Sequence, residues 1–475
     1  MSERFGKLGV LLVLWFVGAL TVQAQNEGNI WYFGNSAGLD FNGSKVKVLT
    51  NGALKTREGS AAICDAQGKL LFYTDGITVW DREHRLMDKG IELAGHPSST
   101  QSGVIVPQPG SKRFYYLFTV DAWGDELGTR YSLIDLEANE GYGEVILSNQ
   151  KLLVPSAEKI AAVVHEDGRS IWVLIRGLNN NVYKAYLVDE NGLNPESVVI
   201  SQVGRQHFRS ERQALGYMKF SSDGSRVAVA SFSKYFEVFD FDRSTGKLSN
   251  PLILEMPENN GSYGCAFSPD NRFLYITYER SNKVYQLDLN AGSPEKIAAS
   301  SIQVGESTSD HMGALQLGPD GRLYVARWES EYIGIIESPN LRGTACKYVD
   351  DGLFLEGGIC MQGLPTFVAT YFEQQLDELF AFPCDSEDCF FKMPLYFYPE
   401  SEKYYRPIGC EPEKYELYIY DQDGTTLMQT SNFYRGWDGN YMFEALPAGS
   451  YQWLIRYQTD AGTEASLKGN VELKR

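Results

Sequence analysis

The chain has 475 residues, 43 Lys and Arg against 61 Asp and Glu for a formal net charge of −18, and a hydrophobic share of 43%. So acidic a body repels a phosphate backbone, which disfavours nucleic acid as a partner. The apolar share suffices for packed cores, and the length suits two or three domains, or one large repeat domain with an appendage.

Residues 1–24 read as a secretory signal: Arg4 and Lys7 precede an apolar run from Leu8 to Val22, and Val22-Gln-Ala24 has small side chains where a signal peptidase cuts. Removing them takes the charge to −19. The run is short for a membrane span and no later stretch approaches the roughly 20 apolar residues a span needs. The mature chain is therefore expected to be exported, with no transmembrane span, and no Cys follows the cut to accept a lipid.

From residue 25 to 375 one pattern recurs: a tight turn on Asp or Pro with Gly or Asn, then four or five alternating β-branched and aromatic residues. It begins at Asp65, Pro109, Glu166, Ser222, Pro269 and Pro319, about 45 to 57 residues apart, the length of one four-stranded propeller blade. In such turns Pro presets φ and Gly or Asn supplies the positive φ of a hairpin. Short apolar strands flank each copy, as in Gly264-Cys-Ala-Phe and Lys283-Val-Tyr-Gln-Leu. Strands are left over at both ends, Asn29-Ile-Trp-Tyr-Phe and Gly363-Leu-Pro-Thr-Phe. An open ring would expose sheet edges, so these ends are expected to share a blade. The expected fold is all-β, a β-propeller of seven blades, six being the alternative.

Asn29-Ile-Trp-Tyr-Phe-Gly, Leu71-Phe-Tyr-Thr-Asp-Gly-Ile-Thr-Val-Trp-Asp, Gly95-His-Pro-Ser-Ser-Thr-Gln, Gly313-Ala-Leu-Gln-Leu and Gly363-Leu-Pro-Thr-Phe together resemble the propeller region of Bacteroidetes proteins that carry the gliding-motility-associated C-terminal domain. The resemblance implies a scaffold and names no ligand.

Composition breaks over residues 376–392, read as a linker. Residues 393–475 hold short alternating strands, which suggest a small immunoglobulin-like sandwich with a core of Leu417, Ile419, Trp437, Tyr451, Trp453 and Ile455. Gly436-Trp437-Asp438-Gly439, Leu446-Pro447-Ala-Gly449-Ser-Tyr451 and Gly469 to Arg475 resemble the type B sorting domain of the type IX secretion system. That resemblance implies display at the cell surface or release, with the outer-membrane machinery or other surface proteins as partners. Tyr398-Pro-Glu-Ser-Glu-Lys stands where the family has a Pro-Asn-Gly-Asp-Gly run, so the domain reads equally as a retained docking module.

The one Gly-x-Ser-x-Gly match, Gly34-Asn-Ser36-Ala-Gly38, lies between two strand patterns and not at a strand-to-helix turn, and no two of His84, His96, His165, His207 and His311 have zinc-site spacing. No catalytic residue, metal ligand or cofactor is therefore expected. Asp75-Gly76 and Asp81 resemble calcium-holding turns but lack a set of oxygen ligands at fixed spacing. His96, Ser98, Ser99, Thr100, Gln101, Asp310, His311 and Gln316 are candidates to line the channel and meet a ligand, although polar side chains there also satisfy backbone groups where strands turn. Trp31, Trp80, Trp123, Trp172 and Trp328 offer a glycan platform or blade packing. Cys64 and Cys265, inside apolar strands, read as buried thiols, whereas Cys384, Cys389 and Cys410 could hold a bridge. The expected function is a surface binding or scaffold protein using the propeller face for protein or glycan. The alternative is a propeller hydrolase or lactonase with a channel-bound divalent metal.

Overall fold

The computed structural model describes residues 26–372 except 44, 125, 207–210 and 257–260. Beyond them it describes 381–383, 390–394, 396–397, 399, 404–409, 414–433, 435–442, 444–458 and 464–474. The export segment, His207, Cys384, Cys389, Cys410, Arg475 and most of the linker lie outside the described residues.

Each repeat turn closes as its chemistry requires. At Ser222-Asp-Gly, Gly224 has φ +71°, its N–H donates to Ser221 O at 2.9 Å, and Asp223 Oδ1 accepts Ser225 N at 3.0 Å. The turn joins Met218–Phe220 to Arg226–Ala230 in antiparallel register, Phe220 opposite Val227. Repeated along residues 30–354, this yields seven antiparallel sheets in chain order, the first two with three strands and the other five with four. Blade four shows the gradient across a sheet. Its inner strand Ser156–Val164 is buried throughout, and its outer strand Gly192–Gln202 is largely exposed. Inner strands are packed on both faces between neighbouring sheets, whereas outer strands meet water on their edge. Apolar side chains from consecutive sheets form shared cores, as where Val104, Val106 and Phe118 of blade three meet Ile160, Ala162 and Val173 of blade four.

The ring closes through the far end of the chain. Asn35 and Ile359 exchange backbone hydrogen bonds at 2.9 and 3.0 Å, Gln362 N donates to Arg57 O, and Ala314 N donates to Gln362 O. Residues 359–366 thus run between the inner strands of blades seven and two, bridging to Asn35 just past Ile30–Phe33 and to Ser60, so the far end of the chain meets blade one. Glycine is needed here, because a Cβ on Gly363 would lie 2.0 Å from Glu58 O. The chain then crosses to the opposite side of the ring: Val368 bridges Ala162 of blade four, and Thr370 Oγ1 accepts Val164 N. Phe367 and Phe372 pack edge to face at 5.6 Å, both buried. This segment lies across one end of the channel.

The tail has its own core, which contains all six expected residues together with Phe397, Tyr405, Phe433, Val471 and Leu473. Its main sheet runs in the order Tyr396–Phe397, Glu464–Leu473, Gly449–Gln458, Lys414–Tyr420, Thr426–Thr430, the first pair parallel and the rest antiparallel. The residues that carry the sorting resemblance hold this domain together. Trp437 is buried and donates to Asn440 O at 3.0 Å, and Asp438 accepts Asn440 N. Tyr451 donates to Pro447 O, and Gly436 and Gly469 lie against the Tyr405 backbone and the Trp453 ring. Gly439 takes φ +77°, and Gly449 opens the strand Gly449–Gln458. No helix among the described residues is long and apolar enough to cross a membrane. Cys64, Cys265, Cys346 and Cys360 are free and buried.

If residues 359–372 close the ring, truncating a buried ring there should weaken the whole propeller. Phe372→Ala is expected to cost about 3–5 kcal/mol in urea unfolding. Leu341→Ala, at a side chain 47% exposed, should shift the midpoint by less than about 0.5 kcal/mol.

Candidate functional site

All inner strands start at the same rim of the channel. The residues just before them, and those just after the neighbouring antiparallel strands, therefore gather there. This rim carries the polar side chains that the apolar strands exclude. Most polar atoms of the expected channel residues Ser98, Thr100 and Gln101 are already committed to other protein groups. Gln101 spans two blades, donating to Ile160 O and Met218 O and accepting Met218 N at 2.8 Å. Thr100 N and Oγ1 both donate to Glu158 Oε2 at 2.8 Å. Ser98 Oγ donates to Glu58 Oε1 at 3.3 Å, while Ser99 Oγ is buried without a partner. His96 Nδ1 accepts Ser98 N in a local turn. Asp310 is exposed beside His311, whose ring stacks on Trp328 at 4.9 Å. Gln316 is not at the rim: its Oε1 accepts Lys219 Nζ across the channel. With Phe267, Thr366, Phe367 and Phe372 it lines a small cavity of 40 Å3.

Asp75 and Asp81 spend their oxygens on their own turns. Asp75 Oδ1 accepts Ile77 N and Thr78 N, and Asp81 holds Glu83 N, Arg85 N and the Arg85 guanidinium. Among the described residues no group of three or more His, Cys, Asp or Glu is arranged to hold a metal ion. Trp31 and Trp172 are buried in blade cores and Trp80 stacks on Tyr73. Of the five expected tryptophans, Trp123 and Trp328 stand at the rim.

Charged groups that the sequence reading passed over lie beneath and around it. Glu158 is 0% exposed; its carboxylate takes the two Thr100 donors and Trp123 N at 2.7 Å. Lys159, also 0% exposed, donates Nζ to Ala214 O at 2.7 Å and Leu215 O at 2.6 Å. Burial drives its pKa well down, and the nearby Arg176 adds to this. Glu58 accepts Tyr263 OH at 2.9 Å; burial, then the nearby Glu158, push its pKa up to about 8. Burial raises the pKa of Glu158 as well, while its three donors, Thr100 N, Thr100 Oγ1 and Trp123 N, oppose this. The charged pair Glu158-Lys159 inside the apolar run Ser156–Val164 was the available clue, since a buried strand tolerates charge only where it is paired and hydrogen-bonded.

Above this layer opens a groove of 470 Å3 lined by Trp123, Arg212, Leu215, Phe232, Glu279 and Arg280 among others. Trp123 is 38% exposed, at φ +57°, a strained backbone held by its bond to Glu158. Arg212 lies 5.6 Å from the Phe232 ring centroid and Arg57 lies 4.9 Å from that of Trp328. Glu279 Oε2 accepts Gln362 Nε2 at 2.7 Å; burial raises its pKa, while that bond and Arg280, Arg57 and Arg212 lower it. Burial depresses the pKa of His311; Asp310 and Glu329 oppose this, and Arg280 and Arg57 add to it. Aromatic faces and guanidinium groups thus converge on one open mouth.

The Glu58 carboxyl has a folded pKa above its unfolded value. Its contribution to stability is therefore full below about pH 4.5 and is lost as pH rises through about 8. Lys159 acts with the opposite sign, so the difference between variants is the readout. Glu58→Gln should flatten the fall in unfolding free energy between pH 5 and 8 by on the order of 1 kcal/mol or more, measured by urea titration at fixed pH values.

Residues 181–337 match a sequence family described as Lactonase, 7-bladed beta-propeller. No curated protein matches the chain. Among solved structures, the chain is similar to a candidate 6-phosphogluconolactonase from Bacteroides uniformis, at 14% identity over 69% of this chain and 98% of that one, with TM-score 0.43. A counterpart from Bacteroides fragilis has 11% identity over 86% and 92%, with TM-score 0.36. The extracellular domain of a candidate hybrid two-component system from B. thetaiotaomicron has 12% identity over 94% of this chain and 56% of that one, with TM-score 0.41. The family match and the seven sheets agree: the chain is built on a seven-bladed β-propeller.

Proposed function

We propose that this protein is an exported surface binding protein that holds its ligand at the open mouth of the propeller and uses its last domain for export and display. The groove at the mouth carries this reading, because it is the place where exposed aromatic faces and guanidinium groups meet over a rigid hydrogen-bonded layer. The resemblance of Gly436 to Gly439 and of Gly469 to Arg475 to a type B sorting domain supports passage through type IX secretion. Those residues also build the tail's core, so folding and recognition place overlapping demands on them.

A propeller lactonase is the second reading, favoured by the family match over residues 181–337. It would draw its proton donor from Glu58 or Glu279 at the mouth. Proton release from a panel of sugar lactones separates the two. Turnover that Glu279→Gln abolishes would establish the lactonase, and absence of turnover together with ligand binding supports the binding protein.

Two outcomes are expected of the leading reading. Trp123→Ala with Phe232→Ala should weaken binding to glycan or surface-protein arrays about tenfold or more, with an unchanged melting curve; unchanged binding would remove the mouth from the function. A chain ending at Lys392 should cross the inner membrane and accumulate in the periplasm. Its appearance at the surface, seen by protease shaving and fractionation, would reject the sorting role.

A further inference from the structure

We propose that the groove at the mouth recognises an acidic sugar, a uronate whose carboxylate lies between Arg212 and Arg280 and whose ring lies against Trp123 and Phe232. This rests on the mouth being the binding face and names the chemistry it selects.

Several arginines of the propeller are neutralised at close range. Arg85 meets Asp81 at 2.9 Å, Arg113 meets Asp135 at 2.7 Å, Arg272 meets Asp288 at 2.8 Å, and Arg327 meets Asp351 at 2.6 Å. Arg212 and Arg280 are exposed and line the groove together, Arg212 over the Phe232 ring. In a chain of net charge −18, two exposed guanidinium groups that share one groove give it a local positive character. The carboxylate that shares their groove, Glu279, accepts Gln362 Nε2 and interacts electrostatically with Arg280, Arg57 and Arg212 at longer range. A guanidinium fork matches a carboxylate with two parallel hydrogen bonds, and Arg gains more from that geometry than a point charge does.

The rest of the groove suits a ring. Its 470 Å3 falls within the range of small-ligand sites and accommodates one or two sugar residues. Trp123 and Phe232 supply apolar faces, with Ser233 beside them. The mouth is also held in place before any ligand arrives. Trp123 is fixed through its N–H to Glu158. The turn Glu211–Ala214, which carries Arg212, is tied down where Lys159 grips Ala214 O and Leu215 O. Preorganisation of this kind lowers the ordering cost of binding.

The test uses the full mature chain, with tetragalacturonate and its fully methyl-esterified form as probes, titrated calorimetrically in 50 mM and 500 mM salt. Esterification keeps the rings and removes the charge. The acid is expected to bind about tenfold or more tighter than the ester at low salt and to lose much of that advantage at high salt. Arg212→Gln with Arg280→Gln should reduce affinity for the acid by a similar factor and leave the ester unchanged. Equal affinity for acid and ester, or an acid affinity insensitive to the double variant, overturns the proposal and leaves mouth binding standing. Failure to bind either probe, while an array ligand such as an acidic peptide is lost in Trp123→Ala with Phe232→Ala, overturns the uronate and keeps the mouth. If that aromatic pair also has no effect on any ligand, both readings fall.

Discussion

Trp31 stands at the seam where the ring meets itself. Its ring packs on Phe41 of blade one at 4.8 Å, Tyr324 of blade seven at 5.3 Å and Phe367 of the closing segment at 5.7 Å. Its indole N–H donates to Gly28 O. Three parts of the chain distant in sequence thus share one buried contact. A propeller is a ring of sheets each of which needs a neighbour on both sides, so the two terminal sheets cannot bury their faces until this seam forms. Long-range closure of this kind carries a loop-entropy cost that the packed aromatics must offset.

Closure also decides what the channel can do. After meeting blade one, the chain crosses to blade four and places Val368, Tyr371 and Phe372 among the buried side chains of the far end. At the mouth the strands begin, their first backbone groups have no ladder partner, and water is largely excluded. Gln101, Thr100, Glu158 and Lys159 meet this demand, since a buried N–H or C=O must be paired. The layer that stabilises the rim is therefore the same layer that fixes Trp123 and the turn bearing Arg212. Stability and ligand geometry are coupled through Glu158 and Lys159, and a change at either would disturb both.

The tail follows a similar economy. Trp437 lies within 5.8 Å of Phe397 and 4.9 Å of Tyr451 between ring centroids, and Gly469 admits the Trp453 ring at a distance no Cβ would allow. A motif shared among related domains can persist for packing alone, so recognition by secretion machinery has to be tested by display and not by loss of fold.

Much of the architecture was legible in the sequence because it rests on local chemistry. Gly or Asn in the turns, as at Gly224 and Asn271, both at positive φ, and alternating β-branched and aromatic runs specify hairpins whatever surrounds them. The tail's core could be named from alternation alone. The functional rim was only partly legible. His96, Thr100 and Gln101 were placed near the mouth, but their partners were hidden, because Gln101 meets Met218 and Thr100 meets Glu158 only after the blades have been stacked. Arg212, Glu279 and Arg280 follow no shared motif and come from blades five and six, and nothing in their own neighbourhoods announces a groove. Local residue pattern determined the strands, the turns and the count of repeats. The closing segment's path through the channel, the raised pKa of Glu58 and the grouping of the exposed arginines were decided by tertiary structure, since burial and charge pairing depend on which distant strands the ring brings together.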